Sequence, residues 1–279
     1  MPLKDLLIER INNDELDLPL LPEVANRVIQ LTNDPESDAQ QLAQLIQSDQ
    51  ALASHVMKIA NSALYSPNSA MVSLQQAIAR IGFRGITDIA LSATINAKLF
   101  KVPGFEQEVQ HLFHYALGTG LWAKEIARAC RKNVEAAFLA GLLHNIGKPA
   151  CIHTLLELAK SAHVEVKKDE IKQLTGELHH TFASSVVKAW NMPKTVCTVI
   201  EYFHQHEKDH AEQGLTRIVV GGSHLASYMI GGDFDGHKTS QEDIMQDDVL
   251  AQLNLYQNDV ELLLDKKELV AQTLGAMSP

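Results

Sequence analysis

Thirteen histidines stand in 279 residues, and several fall on the apolar side of a helical repeat. His114 shares a face with Leu117 and Leu121, at i+3 and i+7. His144 shares one with Ala137, Ala140 and Gly141, small residues that let a neighbouring helix approach closely. His180 lines up with Ala183 and Val187, and His204 with Cys197 and Ile200. Inward side chains on facing helices are how helical bundles build metal sites. Imidazole is a good ligand for zinc, iron, nickel or manganese. One inward histidine taken alone is more often a hydrogen-bonded core group than a ligand. Four on successive helices strengthen the metal reading without deciding it. His163, His210 and His237 sit in polar surroundings and read as surface residues, while His179, His206 and His224 fit either role.

The elements that must position these groups are helices. No segment alternates as a strand would, and helical periodicity runs through almost the whole chain, which predicts an all-α fold. Leu3, Leu6, Leu7 and Ile11 make a short first helix, and Pro22 opens a second with Val24, Val28 and Leu31 inward. Ser37 with Gln40 reads as a capping box, Ser48 or Asp49 caps the helix after it, and Ser73 with Gln76 is a second capping box. Gly82 closes that helix, and residues 84–100 form another. Pro103-Gly104 is the best internal boundary.

Beyond it come helices over 106–132, 135–146, 175–191, 193–206 and 214–230. Gly147-Lys148-Pro149 reads as a helix stop. Residues 233–248 read as a polar loop, and 249–274 as one or two amphipathic helices. Their Leu250, Leu253, Val260, Leu263 and Leu264 need cover from the N-terminal helices or from a second copy. The expected organisation is a helical N-terminal part (1–103), a helical bundle (104–232) and C-terminal accessory helices (233–279).

Bulk composition narrows the function. Hydrophobic residues make up 46%, enough for a sizeable core. The net charge of −10, with no dense Lys/Arg run, argues against a nucleic-acid partner. Arg128, Arg131 and Lys132 sit where a helix C-terminus is expected and suit its dipole. Cys130, Cys151 and Cys197 form no CxxC pair and read as free thiols in a reducing compartment. No apolar leader and no membrane-length apolar run is present, so a cytoplasmic protein without a membrane partner is expected.

The segment Phe138-Leu139-Ala140-Gly141-Leu142-Leu143-His144-Asn145-Ile146-Gly147-Lys148 resembles the HD-superfamily signature, which ends in His-Asp-x-Gly-Lys. More blocks extend the likeness. They are Leu18–Val24, Ile46–Leu52, Ala60–Tyr65, Gln76–Gly82, and His180 followed by Ala189-Trp190-Asn191-Met192-Pro193. Their order and spacing over about residues 15–230 resemble the HDOD family, the HD-related output domains.

The resemblance implies a helical fold descended from metal-dependent phosphohydrolases. His114 and His144 match the first two ligand positions, and Asn145 occupies the position of the metal-binding Asp. His180 matches the next histidine. The paired histidines that follow fall near Phe203 and His204, and the final Asp falls near Ser223, with His224 beside it. The implied residual metal set is therefore His114, His144, Asn145, His180 and His204, without the family's carboxylates. An amide at position 145 carries no charge, so metal affinity and activation of a bound water should both fall.

The reading that follows is a signalling protein that binds a partner protein or a small ligand. It requires no cofactor, and any residual divalent metal would be iron, manganese, zinc or nickel. Self-association stays open. The alternative is a metal-dependent phosphohydrolase with an atypical site, for which Glu177 and Glu201, on adjacent turns, are candidate substitute carboxylates.

Overall fold

The computed structural model describes residues 3–13, 15–62, 65–66, 71–96, 99–232 and 236–278, with Thr32 and Asn33 described by their backbone alone. Ala63 and Leu64 of the Ala60–Tyr65 block, Pro67 of the loop after it, Ala97 and Lys98 of the 84–100 helix, and Asp233–Asp235 of the polar segment lie outside the described residues. Every regular element among the described residues is helical, as the periodicity predicts. In chain order these are α1 (Leu3–Asn12), α2 (Glu23–Asn33), α3 (Ala39–Gln47), α4 (Gln50–Ala60), α5 (Leu74–Ile81), α6 (Phe83–Thr94), α7 (Glu106–Ala129) and α8 (Val134–Leu143). There follow α9 (Gly147–Ala162), α10 (Lys168–Ala189), α11 (Lys194–Tyr202), α12 (Gln213–Ile230), α13 (Gln241–Met245), α14 (Asp248–Gln252), α15 (Gln257–Leu264) and α16 (Lys267–Met277). No described helix is long and apolar enough to cross a membrane.

The chain forms two compact units, each built from separated stretches. One joins Met1–Leu20 to Ala97–Val260, and the other joins Leu21–Asn96 to Glu261–Pro279. In the second unit, α2 to α5 pack around α6, whose residues 86–92 are all buried. Side-chain caps fix where its helices begin. Asp38 starts α3: its carboxylate accepts from the Gln40 and Gln41 N–H groups, and the Gln41 side chain accepts from the Asp38 N–H. This capping box lies one residue beyond the Ser37–Gln40 pair of the sequence pattern, because the Ser37 N–H closes a turn on the Asp34 carbonyl. Asp49 caps α4, and Ser73 caps α5 through the Gln76 N–H. Asn61 bridges the loop after α4, donating to the Met57 and Met71 carbonyls and accepting from the Met71 N–H. α16 covers α6 with Val270, Leu274 and Met277 buried.

In the first unit, α7 is the central helix, with α8 and α12 against it, α9 paired with α10, and α1 on α9. α7 and α8 touch backbone to backbone: a Cβ on Gly141 would stand 2.5 Å from the Gly120 Cα. Trp190 is buried, and its Nε1 donates to the Pro19 carbonyl at 2.7 Å, which ties two of the family-like blocks together. Asn191 ends α10 in the left-handed region at φ 51°, and Pro193 stands at the N-cap of α11. The three cysteines are free.

Three helical readings need correction. Gly147 does not stop a helix; it begins α9, which fills a stretch the periodicity leaves open. Pro149 is tolerated there because the N–H groups of a first turn have no intrahelical acceptor. The helix expected over 84–100 ends at Thr94. The polar segment 233–248 contains α13, started by a Ser240–Asp243 capping box. Of the apolar tail residues, Leu250, Val260 and Leu263 are buried, and Leu250 packs against Gly221 of α12.

Candidate functional site

The site is assembled at the ends of α8 and α11 and along α10, all in the first unit. α8 ends at His144, which is 3% exposed. Its Nδ1 lies 2.7 Å from the Gly141 carbonyl oxygen. A carbonyl can only accept, so Nδ1 carries the proton and Nε2 carries the lone pair. That Nε2 is buried with no hydrogen-bond partner. His179 on α10 repeats the arrangement. Its Nδ1 donates to the Thr175 and Gly176 carbonyls at 3.0 and 3.1 Å, and its buried Nε2 is likewise unpartnered.

His180 and His204 complete the cluster. The His179 and His180 ring centroids are 3.8 Å apart, His180 and His204 are 3.8 Å apart, and His179 meets His204 edge-on at 5.3 Å. One ligand nitrogen from each of the three lies within 4.8 Å of the other two. His204 sits on the turn Phe203–Gln205 that follows α11, and Phe203 packs its ring 4.9 Å from that of His144. Tyr115 closes the other side of His144 at 5.7 Å, while its hydroxyl donates to the Ser223 carbonyl at 2.9 Å.

The backbone explains why these groups meet. A Cβ on Gly147 would stand 1.9 Å from the His179 carbonyl oxygen and 2.6 Å from the Ala183 nitrogen. Only glycine permits that approach, so residue 147 brings the start of α9 against the stretch of α10 that carries His179. Lys148 follows it and is buried at 7% exposure.

The electrostatics are uniform. Burial holds His144 down to about 4 against the opposing Gly141 carbonyl, with Lys148 and His179 adding lesser downward effects. Burial, His180 and Lys148 hold His179 at about 4. Burial and the surrounding imidazoles and Lys148 push His204 to about 3, and burial with Lys148 lowers His180 as well. All four rings are therefore neutral at pH 7. No carboxylate of the described residues is among the groups that act on them; the one fixed charge that does is the Lys148 cation.

The remaining expected positions divide as follows. His114 lies half-buried on α7 and is lowered first by burial and then by His111; it is not part of the three-histidine group. Asn145 is buried in the turn after His144. Ser223 spends its hydroxyl on the Val220 carbonyl, and His224 is drawn to Asp247 at 2.6 Å. Glu177 is exposed and bonded to Lys4 at 2.6 Å, and Glu201 is exposed. His179 and Lys148 are the members that sequence reasoning missed. The stripe Thr175, His179, Phe182, Val186 at i, i+4, i+7 and i+11 is the signal for His179, and it runs one residue ahead of the His180 face.

A centre of this composition does not fit the hydrolytic metal site of the HD pattern. The HD pattern includes carboxylate ligands, and the donors present here are neutral imidazoles beside a cation. Three imidazoles can still hold a single borderline ion.

The HDOD domain model matches residues 18–206. Among solved structures, an HDOD domain protein of unknown function from Geobacter sulfurreducens superposes with a TM-score of 0.73 at 21% identity, covering 99% of this chain and 96% of its own. A Marinobacter aquaeolei protein assigned to signal transduction gives 0.69 at 25% identity, covering 99% of this chain and 66% of its own. A Shewanella amazonensis protein assigned as a metal-dependent phosphohydrolase gives 0.67 at 22% identity, covering 99% and 100%. An uncharacterized Treponema pallidum protein is 25% identical in an alignment of 198 residues that covers 67% of this chain and 38% of that protein, so the chain spans well under half of that relative.

Proposed function

Since the chain belongs to the HDOD domain family, we propose that it is a non-hydrolytic signalling module, acting by binding a partner protein or a small ligand through its helical surfaces. The observation that carries this reading is the charge at the histidine cluster. Asn145 stands where the HD pattern has a carboxylate, Ser223 turns its hydroxyl onto its own helix, and Lys148 is the fixed charge beside the rings. A metal-bound water becomes a nucleophile at neutral pH only when the metal is firmly held, and changes outside the ligand set alone cost about ten- to a hundredfold. Loss of two anionic ligands costs more. The Marinobacter protein's assignment to signal transduction points the same way. The absence of a dense basic run favours a protein or small ligand over nucleic acid.

The test is a hydrolysis assay of the full chain on generic phosphomonoesters and phosphodiesters with added manganese or iron, alongside metal analysis of the purified protein. Background rates are expected, and Asn145→Asp alone is expected to leave them unchanged because the second carboxylate is still missing. Robust metal-dependent turnover that His144→Ala abolishes would overturn the reading in favour of a phosphohydrolase with an atypical site.

A further inference from the structure

We propose that the groove between α2 and α3, in the second unit, holds an extended peptide segment of a partner protein, one that carries an acidic and a basic side chain three residues apart. The proposal rests on the partner-binding reading above and names the surface that does the binding.

The groove follows from how the two helices are joined. Residues 34–38 connect α2 to α3, and so short a connection lays consecutive helices antiparallel. α3 turns Leu42, Leu45 and Ile46 into the core, which leaves Gln41 and Gln44 on its outer side. Gln30 is exposed on α2 opposite them. Between the helices lies a cleft of about 510 Å³, with the three glutamines around it and Leu31 and Leu45 as its apolar lining.

Three observations point to a peptide. The first is the charge at the two ends. Arg27 and Asp34 both line the cleft, and among the described residues neither is in an ion pair. Asp34 uses Oδ1 to accept from the Glu36 N–H, which holds the carboxylate in place and leaves Oδ2 uncommitted. Seven residues of helix set the two charges roughly 10 Å apart along the axis. Three residues of extended chain, at about 3.3 Å each, cover the same distance. A guanidinium fork suits a carboxylate, so the acidic side chain belongs at Arg27 and the basic one at Asp34.

The second is what stands between the charges. The Gln30 and Gln44 side chains make no hydrogen bond among the described residues, and Gln41 commits only its Oε1, to the Asp38 N–H. A primary amide offers both a donor and an acceptor, the complement of a peptide group. The middle of the cleft is therefore built to bind backbone. The third is continuity. Ser48 lines this cleft and also a second hollow of about 670 Å³, with Val24, Asp49 and Ser54. The trough thus runs on past the Arg27 end, which suits an elongated chain better than a compact ligand.

The experiment uses the full chain and an array of capped, fluorescent peptides on a glycine and alanine background. Each carries one glutamate and one lysine, separated by one to six positions, in both orders. Fluorescence polarisation should show a peak at a separation of three in one order, roughly tenfold tighter than at one or six. Arg27→Asp should remove the peak. Arg27→Asp combined with Asp34→Lys should bring it back with the order of the charges reversed. Both positions are exposed, and melting of each variant checks that it folds. Gln44→Ala, which touches neither charge, should weaken every peptide by a similar factor, the mark of backbone recognition. A flat array overturns the proposal, and so does a peak that Arg27→Asp leaves in place. Free glutamate or lysine binding as tightly as the peptides also overturns it and assigns the cleft to a small charged ligand. A phosphoester assay on the same samples tests the broader reading separately. Turnover would sink the non-hydrolytic function and leave the array result standing, whereas a flat array alone would leave that function intact with its partner seated elsewhere.

Discussion

His179 and His224 lie in the same helical unit, and each has its Nδ1 engaged within about 3 Å, yet their partners differ in kind. The His179 Nδ1 meets backbone carbonyls of its own helix, and the His224 Nδ1 meets the Asp247 carboxylate at 2.6 Å. A carbonyl fixes the tautomer and adds no charge, so the buried ring stays neutral and keeps a lone pair for another use. A carboxylate is a charged acceptor for the ring N–H and holds two segments of chain together. Asp247 also caps α14 through the Val249 and Leu250 N–H groups, so this second histidine fastens the start of α14 to α12. One histidine cluster is kept available and the other histidine is spent on structure. The difference follows from what lies opposite Nδ1.

The contrast can be broken most severely at Gly147. Gly147→Ala drives a methyl into the His179 carbonyl, and overpacking of this kind costs about 3 kcal/mol or more. Urea unfolding should show that loss, while amide exchange over 248–252 stays slow.

The next effect is on pH dependence. His144 is held at about 4 when folded against 6.5 when unfolded. As pH falls from 6.5 towards 4 the unfolded chain takes up a proton that the folded chain refuses, so stability present above pH 6.5 is progressively lost. For His144 this amounts to about 2 kcal/mol between pH 7.5 and pH 5. Unfolding midpoints of the wild type should fall over that range, and those of His144→Leu should fall less. Equal slopes would show that His144 is not held neutral.

Asp247 behaves with the opposite chemistry. Burial opposes its ionisation, but the His224 contact and the Val249 and Leu250 N–H groups prevail and hold it below its ordinary value. Its contribution is present above the unfolded carboxylate range and is lost as pH falls through the lower folded value. Asp247→Ala should cost about 1–2 kcal/mol at pH 7, and amide exchange should quicken over 248–252. The smallest effect is expected at Glu177, whose pairing with Lys4 lies in solvent and is screened there. Glu177→Gln should change neither the melting point by more than a degree or two nor metal uptake. Strong loss of metal would place a carboxylate at the cluster and erase the contrast.

Much of the fold is legible in the sequence because apolar spacing and caps are local signals. The spans of α1, α2, α7 and α12 follow from periodicity, and Pro22, Asp49, Ser73 and Gly231 mark ends where their chemistry requires it. α9 escapes because Gly147 and Pro149 look like breakers, and the pressure that keeps glycine there comes from a helix some thirty residues further on. The site is legible in residue type but not in grouping. His144, His180 and His204 can be picked from sequence, but His179 looks like the wrong face until the true register of α10 is known. Lys148 looks like a helix-end cation until its burial is seen. The Tyr115–Ser223, His224–Asp247 and Lys4–Glu177 contacts each join residues distant in sequence, and no local pattern announces them.

The cover that α16 provides for α6 has a consequence in time. On a ribosome, α6 is complete long before Val270, Leu274 and Met277 exist. At roughly 5–20 residues per second the interval is on the order of ten to thirty seconds, whereas a helix forms in microseconds or less. The α2–α6 group therefore waits, already helical and lacking a part of its cover, through the synthesis of nearly the whole other unit. Nascent chains arrested before residue 261 should be held by chaperones that recognise apolar helices, and chains released after α16 has emerged should not.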